Sequence, residues 1–238
     1  MRTNYRRWTQ YPYPGESVPP RGSPKAGNWP MFFISRRSYN DFLDPFHQRI
    51  LWQIKNPDDI DWEIELFIVE ETLKSLTSQQ IRIAQYWGTG EITAKITAFI
   101  FRLAEKYKLG SPSVARVLGY FHATMNDAFV MTWFFKYHWD VARPNQYGRN
   151  LSTVLFPPRF PAYPSAHAVV AGCAEAVLRY FFPQESSEIK KLMEESAQSR
   201  LYAGVHFNVD NNEGLRVGRQ IGEVVVSLLR AQNLNMLP

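Results

Sequence analysis

The sequence predicts an all-α fold: a helical bundle preceded by an irregular N-terminal arm. Beyond Pro57, apolar residues recur at helical spacing, as in the run Val114, Leu118, Phe121, Met125, Ala128 and Phe129. No stretch shows convincing strand-like alternation. Residues 1 to about 30 carry no periodicity and are rich in Pro, Gly, Ser, Arg and Tyr. The expected division is an arm over 1–56 and a single helical catalytic domain over 57–238.

Each segment has a local reason. The arm contains Tyr5, Trp8, Tyr11, Tyr13 and Trp29, aromatic residues that favour docking on this molecule or a neighbouring subunit; a homodimer is one expectation. The stretch "DDIDWEIELFIVEETLKSL" places acidic residues where a helix begins. "TSQQIRIAQYW" is expected as the next helix, and "GEITAKITAFIFRLAEKYKLG" as one that Gly110 closes as a C-cap. A long helix then starts with Ser111 as N-cap and Pro112 at the first helical position, and Pro144 stops it. Later helices are expected to begin near Ser165, Glu185 and Glu213. In the last, Gly214, Gly218 and Gly222 share one face. Helical Gly costs about 1 kcal/mol against Ala, so that face should meet another helix at close range.

Composition narrows the function classes. Hydrophobic residues make up 45% and charged residues 21%, an ordinary globular balance, and the net charge of +5 is mild. Arg2, Arg6, Arg7, Arg21 and Lys25 face only Glu16 near the start, but no sustained basic run or binding signature points to nucleic acid. The first twenty residues lack an apolar signal-peptide core, and no charge-free apolar run approaches the ~18 residues that span a bilayer. A cytoplasmic protein without membrane spans is expected. Cys173 is the only cysteine, which excludes an internal disulfide; among Ala and Val it is a small buried filler. Gly88 and Gly90 lack the third glycine of a dinucleotide loop, and no HExxH or paired-Cys zinc pattern is present.

Three stretches carry candidate chemistry. "KYHWDVARP" holds Lys136 and Arg143; "PSAH" holds Ser165, Ala166 and His167; "SRLYAGVHFNVD" holds Arg200, His206 and Asp210. Singly, each has a plain structural reading. Lys136 and Arg143 can be solvated helix-end cations, His167 a core histidine, and His206 with Asp210 an i,i+4 surface pair on a helix. His122 and Asn126 suit a satisfied core pair. His138 and Asp140 are candidates for a pocket rim, with Asp140 alternatively pairing Lys136. Taken together, three cations, a hydroxyl and two histidines can hold a tetrahedral oxyanion. Arg forks match paired oxygens, and free N–H groups at a helix start near Ser165 and Ala166 favour anions. Asp210 can fix the His206 tautomer.

The ordered pattern K-x6-RP, PSxH, SR-x5-H-x3-D, spanning 136–210, resembles the superfamily of vanadium-dependent haloperoxidases and type 2 phosphatidic acid phosphatases (PAP2). The resemblance implies a helical bundle and a shared pocket for vanadate or phosphate. It implies that Lys136, Arg143, Ser165, Ala166 and Arg200 hold the oxyanion. His206 would be the vanadium ligand in one branch or the phosphoryl-accepting nucleophile in the other, with His167 as acid–base and Asp210 as orienter. The soluble haloperoxidase-like branch is favoured by the absent membrane spans and by the aromatic residues within the first two motifs. It implies vanadate as cofactor, with halide and peroxide as substrates. The alternative is a soluble acid phosphatase that needs no cofactor and hydrolyses phosphomonoesters through a phosphohistidine at His206. Ala166 departs from the family's usual Gly; it keeps the N–H but cannot take positive φ cheaply, and its methyl narrows the pocket.

Overall fold

The computed structural model describes residues 4–148 and 151–233. Seven α-helices are found among them: α1 Trp62–Lys74, α2 Ser78–Gly88, α3 Ile92–Lys106, α4 Ser111–Trp139, α5 Ala166–Phe181, α6 Ser186–Tyr202 and α7 Asn208–Ala231. The all-α expectation holds. Arg2, part of the basic arm in the sequence, lies outside the described residues.

Helix starts follow their caps. Asp61 accepts from the Glu63 and Ile64 N–H groups to open α1, and Thr77 with Gln80 forms a reciprocal capping box on α2. The long α4 and the α5 helix form the centre. Most of α5 is buried, because Ala, Val, Gly and Cys fill it; Glu175 is its one buried charge, while Arg179 near its end stays exposed. That carboxylate is satisfied by Arg219 Nε and Nη2 at 3.0 and 2.7 Å. A helix apolar on nearly every side needs cover all round, and α4, α6 and α7 supply it.

The glycine face of α7 packs on α5 as expected. A Cβ at Gly218 would stand 2.1 Å from Val169 O, and one at Gly222 would meet Ala176 Cβ at 2.6 Å. Only hydrogen at these positions permits the approach. Cys173 is fully buried beside them, and burial pushes its thiol pKa up, as befits a filler.

Several boundaries differ from expectation. Gly110 does not close α3: Lys108 takes the left-handed conformation at φ 50° instead. The Leu109 and Lys108 N–H groups return to Ala104 O and Glu105 O, a Schellman ending built on Lys. Gly110 is the N-cap of α4, and Ser111 already lies inside the helix. α4 ends before Pro144, at Asp140 (φ 56°), whose N–H bonds Lys136 O; the short Asp side chain tolerates this conformation. α7 starts at Asn208 rather than near Glu213. In the arm, Ser35–Ser38 (β1) and Asp41–Leu43 (β2) form a small antiparallel hairpin that lacks clean alternation because a register irregularity interrupts it.

Candidate active site

All eight sequence-predicted site residues lie in one region, at helix ends or on the segments beside them. Lys136 occupies the last turn of α4 and is fully buried. Its Nζ donates to Pro161 O and Ala162 O, both at 2.7 Å. Arg143 follows on the extended exit from α4, also fully buried. It donates from Nε to Phe160 O (3.0 Å) and from Nη1 to Val205 O (2.7 Å) and His206 Nε2 (3.0 Å). The Phe160 ring lies beneath both cations, 5.2 Å from Lys136 Nζ and 4.9 Å from Arg143 Cζ. Arg200, in the last turn of α6, donates from Nε to Ser199 Oγ and from Nη2 to Ala84 O, both at 3.0 Å.

No described carboxylate makes an ion pair with any of these three cations. Burying charge without a direct ion pair is expensive, and Asp210 offsets it only in part for Lys136 and Arg143. Burial, then Arg143, pushes the Arg200 pKa down to about 10; burial, again reinforced by Arg143, pushes that of Lys136 well below its ordinary value. Backbone carbonyls satisfy some of the donors, but the buried Arg143 Nη2 has no hydrogen bond of good geometry among the described residues. Positive charge in this region is thus only partly compensated.

Ser165 is the N-cap of α5, yet its hydroxyl makes no capping bond and has no hydrogen-bond partner among the described residues. Its N–H donates to Asp210 O at 3.0 Å, which joins the starts of α5 and α7. Ala166 is the first residue of α5, where a backbone N–H has no intrahelical acceptor. It is absent from the positive-φ residues, so the Ala in place of Gly costs no backbone strain.

His206 is not on a helix face with Asp210. It lies two residues before α7, and Asp210 reaches back from the first turn. Asp210 Oδ2 accepts from His206 Nδ1 at 2.8 Å and from the Phe207 N–H at 3.0 Å, so one carboxylate caps the helix and orients the imidazole. The spacing argument missed this because Phe207 is an unusual N-cap residue; it is fully buried and held by Asp210. The partners also define the tautomer. Guanidinium can only donate, so Nε2 accepts from Arg143, and the proton resides on Nδ1 facing Asp210. Burial, followed by Arg143, Lys136, Arg200 and His167, lowers the His206 pKa far below the ordinary value. Burial raises that of Asp210, against the opposing pull of Lys136.

His167, one residue into α5, is partly exposed and bonds Trp87 O through Nε2 at 3.0 Å. A carbonyl only accepts, so Nε2 carries the proton and Nδ1 is the free base. Burial, then Arg200, holds its pKa down at about 3. Other candidates fall away from the site. Asp140 bonds the Thr9 hydroxyl rather than Lys136, whose ammonium is already committed to two carbonyls. His138 stacks on Phe134. His122 meets the Thr97 hydroxyl on an exposed surface and Asn126 donates to Pro30 O, so they are not a core pair. Sequence reasoning missed Phe160, the Ala84 and Trp87 carbonyls, and Gln146. Only Gln146, three residues after Arg143 in "RPNQ", left a turn-capping signal.

The chain was compared with known proteins. Residues 184–233 match the family model of the VCPO second helical-bundle domain. No curated protein matches by sequence. A bacterial vanadium-dependent iodoperoxidase superposes with TM-score 0.73 at 23% identity, covering 100% of this chain and 63% of its own. The chain thus has the fold of vanadium-dependent haloperoxidases. A holo-type bacterial vanadium-dependent chloroperoxidase gives 0.71 at 14% identity, with 92% of this chain and 57% of that one covered. A transmembrane PAP2-type phosphatidylglycerolphosphate phosphatase from Bacillus subtilis shares the fold. It gives 0.55 at 14% identity, covering 71% of this chain and 86% of that one. This chain therefore spans about three-fifths of the length of the haloperoxidases it resembles. No helix among the described residues is long and apolar enough to cross a membrane.

Proposed function

We propose that this chain is a vanadate- or phosphate-binding enzyme of the haloperoxidase type, working on peroxide and halide. Residues 57–238 form its catalytic domain. The observation that carries the reading is the state of the polar atoms around His206. Its Nε2 accepts from the buried Arg143, while Arg143 Nη2 and Ser165 Oγ have no hydrogen bond among the described residues.

The residues present fit a tetrahedral oxyanion. Lys136, Arg143 and Arg200 would supply charge, and Ser165 Oγ and the Ala166 N–H would supply neutral donors at the α5 start. His206 would supply the one bond to the central atom. Vanadate bound there would activate hydrogen peroxide for halide oxidation. The chain's own part is to hold and neutralise. Asp210 keeps the proton on His206 Nδ1 and so keeps Nε2 basic. The Arg143 Nη1 bond to Nε2 would give way to the guest, and the guanidinium beside it would serve as an oxyanion donor. His167 is held neutral first by burial and then by Arg200, Lys95 and Lys136; an anion beside those cations would offset their part and make Nδ1 a stronger base.

The phosphatase reading has its own supporting observation: the chain covers 86% of the PAP2 phosphatase but only 57–63% of the haloperoxidases. In that case His206 Nε2 attacks phosphorus and forms a phosphohistidine as the P–O bond to the alcohol breaks. A proton from His167 goes to the leaving oxygen, and water then releases phosphate. The deciding experiment runs two assays on one preparation: bromide oxidation with vanadate and peroxide, and hydrolysis of a chromogenic phosphomonoester without vanadate. Bromide oxidation that disappears in His206→Ala supports the main reading. Hydrolysis alone transfers the case to the phosphatase, and inactivity in both assays removes the enzymatic proposal.

A further inference from the structure

The segment that carries Arg143 is held by the N-terminal arm. Trp8 N–H donates to Asp140 O at 2.7 Å, Ala142 N–H donates to Arg6 O at 2.9 Å, and Arg7 bridges Val141 in antiparallel fashion. The arm thus pairs with residues 140–142 immediately before the arginine. Gln146 completes the link. Its Oε1 accepts from the Arg143 N–H at 2.8 Å, and its Nε2 donates to Trp8 O at 2.9 Å and Tyr11 O at 2.6 Å. The side-chain amide is buried with both donors used. Arg6 adds a bond from Nη1 to Gln146 O at 2.9 Å, with its guanidinium over the Tyr11 and Tyr147 rings.

Tyr13 approaches the arginine from the same side. It is buried, accepts from Trp8 Nε1 at 2.9 Å and donates to Pro158 O at 2.7 Å. Its phenol also lies close enough to the Arg143 guanidinium for each to perturb the other electrostatically. None of these arm residues belongs to the three motifs.

We propose that arm residues 6–13 are a working part of the anion site, with Gln146 as the positioning residue that couples them to Arg143. This inference rests on the oxyanion reading of the pocket. A guanidinium that must serve both an imidazole and an oxyanion tolerates little displacement, and its backbone is fixed here by an amide whose other end grips the arm. An apolar side chain of similar length at 146 leaves the Arg143 N–H and two arm carbonyls without their partner in a buried setting.

The test is equilibrium binding of inorganic phosphate and of vanadate, by calorimetry, alongside thermal unfolding. Gln146→Met is expected to raise both dissociation constants about tenfold. Tyr13→Phe, which keeps the ring, is expected to raise them roughly threefold. Asp127→Asn is the control. That buried carboxylate grips a later part of the arm, accepting from the Phe32, Phe33 and Ile34 N–H groups at 2.7, 2.8 and 3.1 Å, and it bonds no site residue. Its loss should lower Tm and leave anion affinity within about a factor of two. Wild-type affinity in Gln146→Met overturns the proposal, as does an equal loss in Asp127→Asn. Should Gln146→Met not fold, wild-type affinity in Tyr13→Phe overturns it alone. A wild-type protein that binds neither anion overturns the oxyanion reading itself, a result distinguishable from the others.

Discussion

Replacing Gly218 by Ala tests how the two halves of the site are joined. Ser165 caps α5, which begins with Ala166 and His167; α7 begins two residues after His206 and carries Asp210, and the two helices cross on glycines. The new methyl would lie 2.1 Å from Val169 O, 2.9 Å from Val169 C and 3.0 Å from Cys173 N. Ordinary contact begins near 3.4 Å, so the shortfall exceeds an ångström, and the obstacle is helix backbone, which has no rotamer to change. The helices must part or bend. Overpacking of this kind costs about 1–3 kcal/mol and sometimes more, whereas Ala regains about 1 kcal/mol of helix propensity. With the backbone as obstacle, a net loss of about 2 kcal/mol is expected, or about 4–8 °C in Tm for a chain of this size. Gly119→Ala is the matched control: it lies in the interior of α4 with nothing within 4 Å of the added carbon, and should stabilise by about 0.5–1 kcal/mol. Thermal unfolding of both variants decides the matter. A Gly218→Ala protein as stable as Gly119→Ala would refute the reasoning from close helix approach.

Other expectations concern charge. His167 has a folded pKa depressed to about 3 against 6.5 in the unfolded chain, so below pH 6.5 the unfolded state binds the extra proton. The contribution of the neutral ring is therefore complete above pH 6.5 and shrinks as pH falls, by about 1.4 kcal/mol per unit. Urea unfolding should show His167→Gln gaining on the wild type through this window; parallel pH profiles would contradict it. Asp210→Asn removes the charge that orients His206 while relieving a carboxylate whose burial is unfavourable. Turnover should fall about 10–100-fold with little change in circular dichroism, and an unfolded variant would make Asp210 structural instead. Ala166→Gly should leave anion affinity nearly unchanged, because Ala166 already has an unstrained backbone; a large gain in phosphate binding would show that its methyl obstructs the pocket.

Much of this architecture was legible in the sequence because it rests on chemistry that few residues can supply. Three separated motifs named the eight side chains now found together, and Gly214, Gly218 and Gly222 announced the α5–α7 contact. Helix ends were less legible. Lys108 performs a turn usually given to Gly, which freed Gly110 to cap the next helix. Phe207 is an N-cap only because the Asp210 carboxylate reaches its N–H. The arm's role was hidden for a different reason: its links to Arg143 are backbone carbonyls joined through Gln146, and such contacts leave almost no trace in side-chain identity.

The most direct measurement is a ¹⁵N spectrum of the His206 ring during titration with phosphate and with vanadate. The free protein should show a neutral imidazole protonated on Nδ1. Either anion should then perturb Nε2 with saturation at one equivalent, and each should displace the other. Independent binding of the two anions, or saturation that leaves His206 unchanged, would contradict a single oxyanion pocket assembled from these residues.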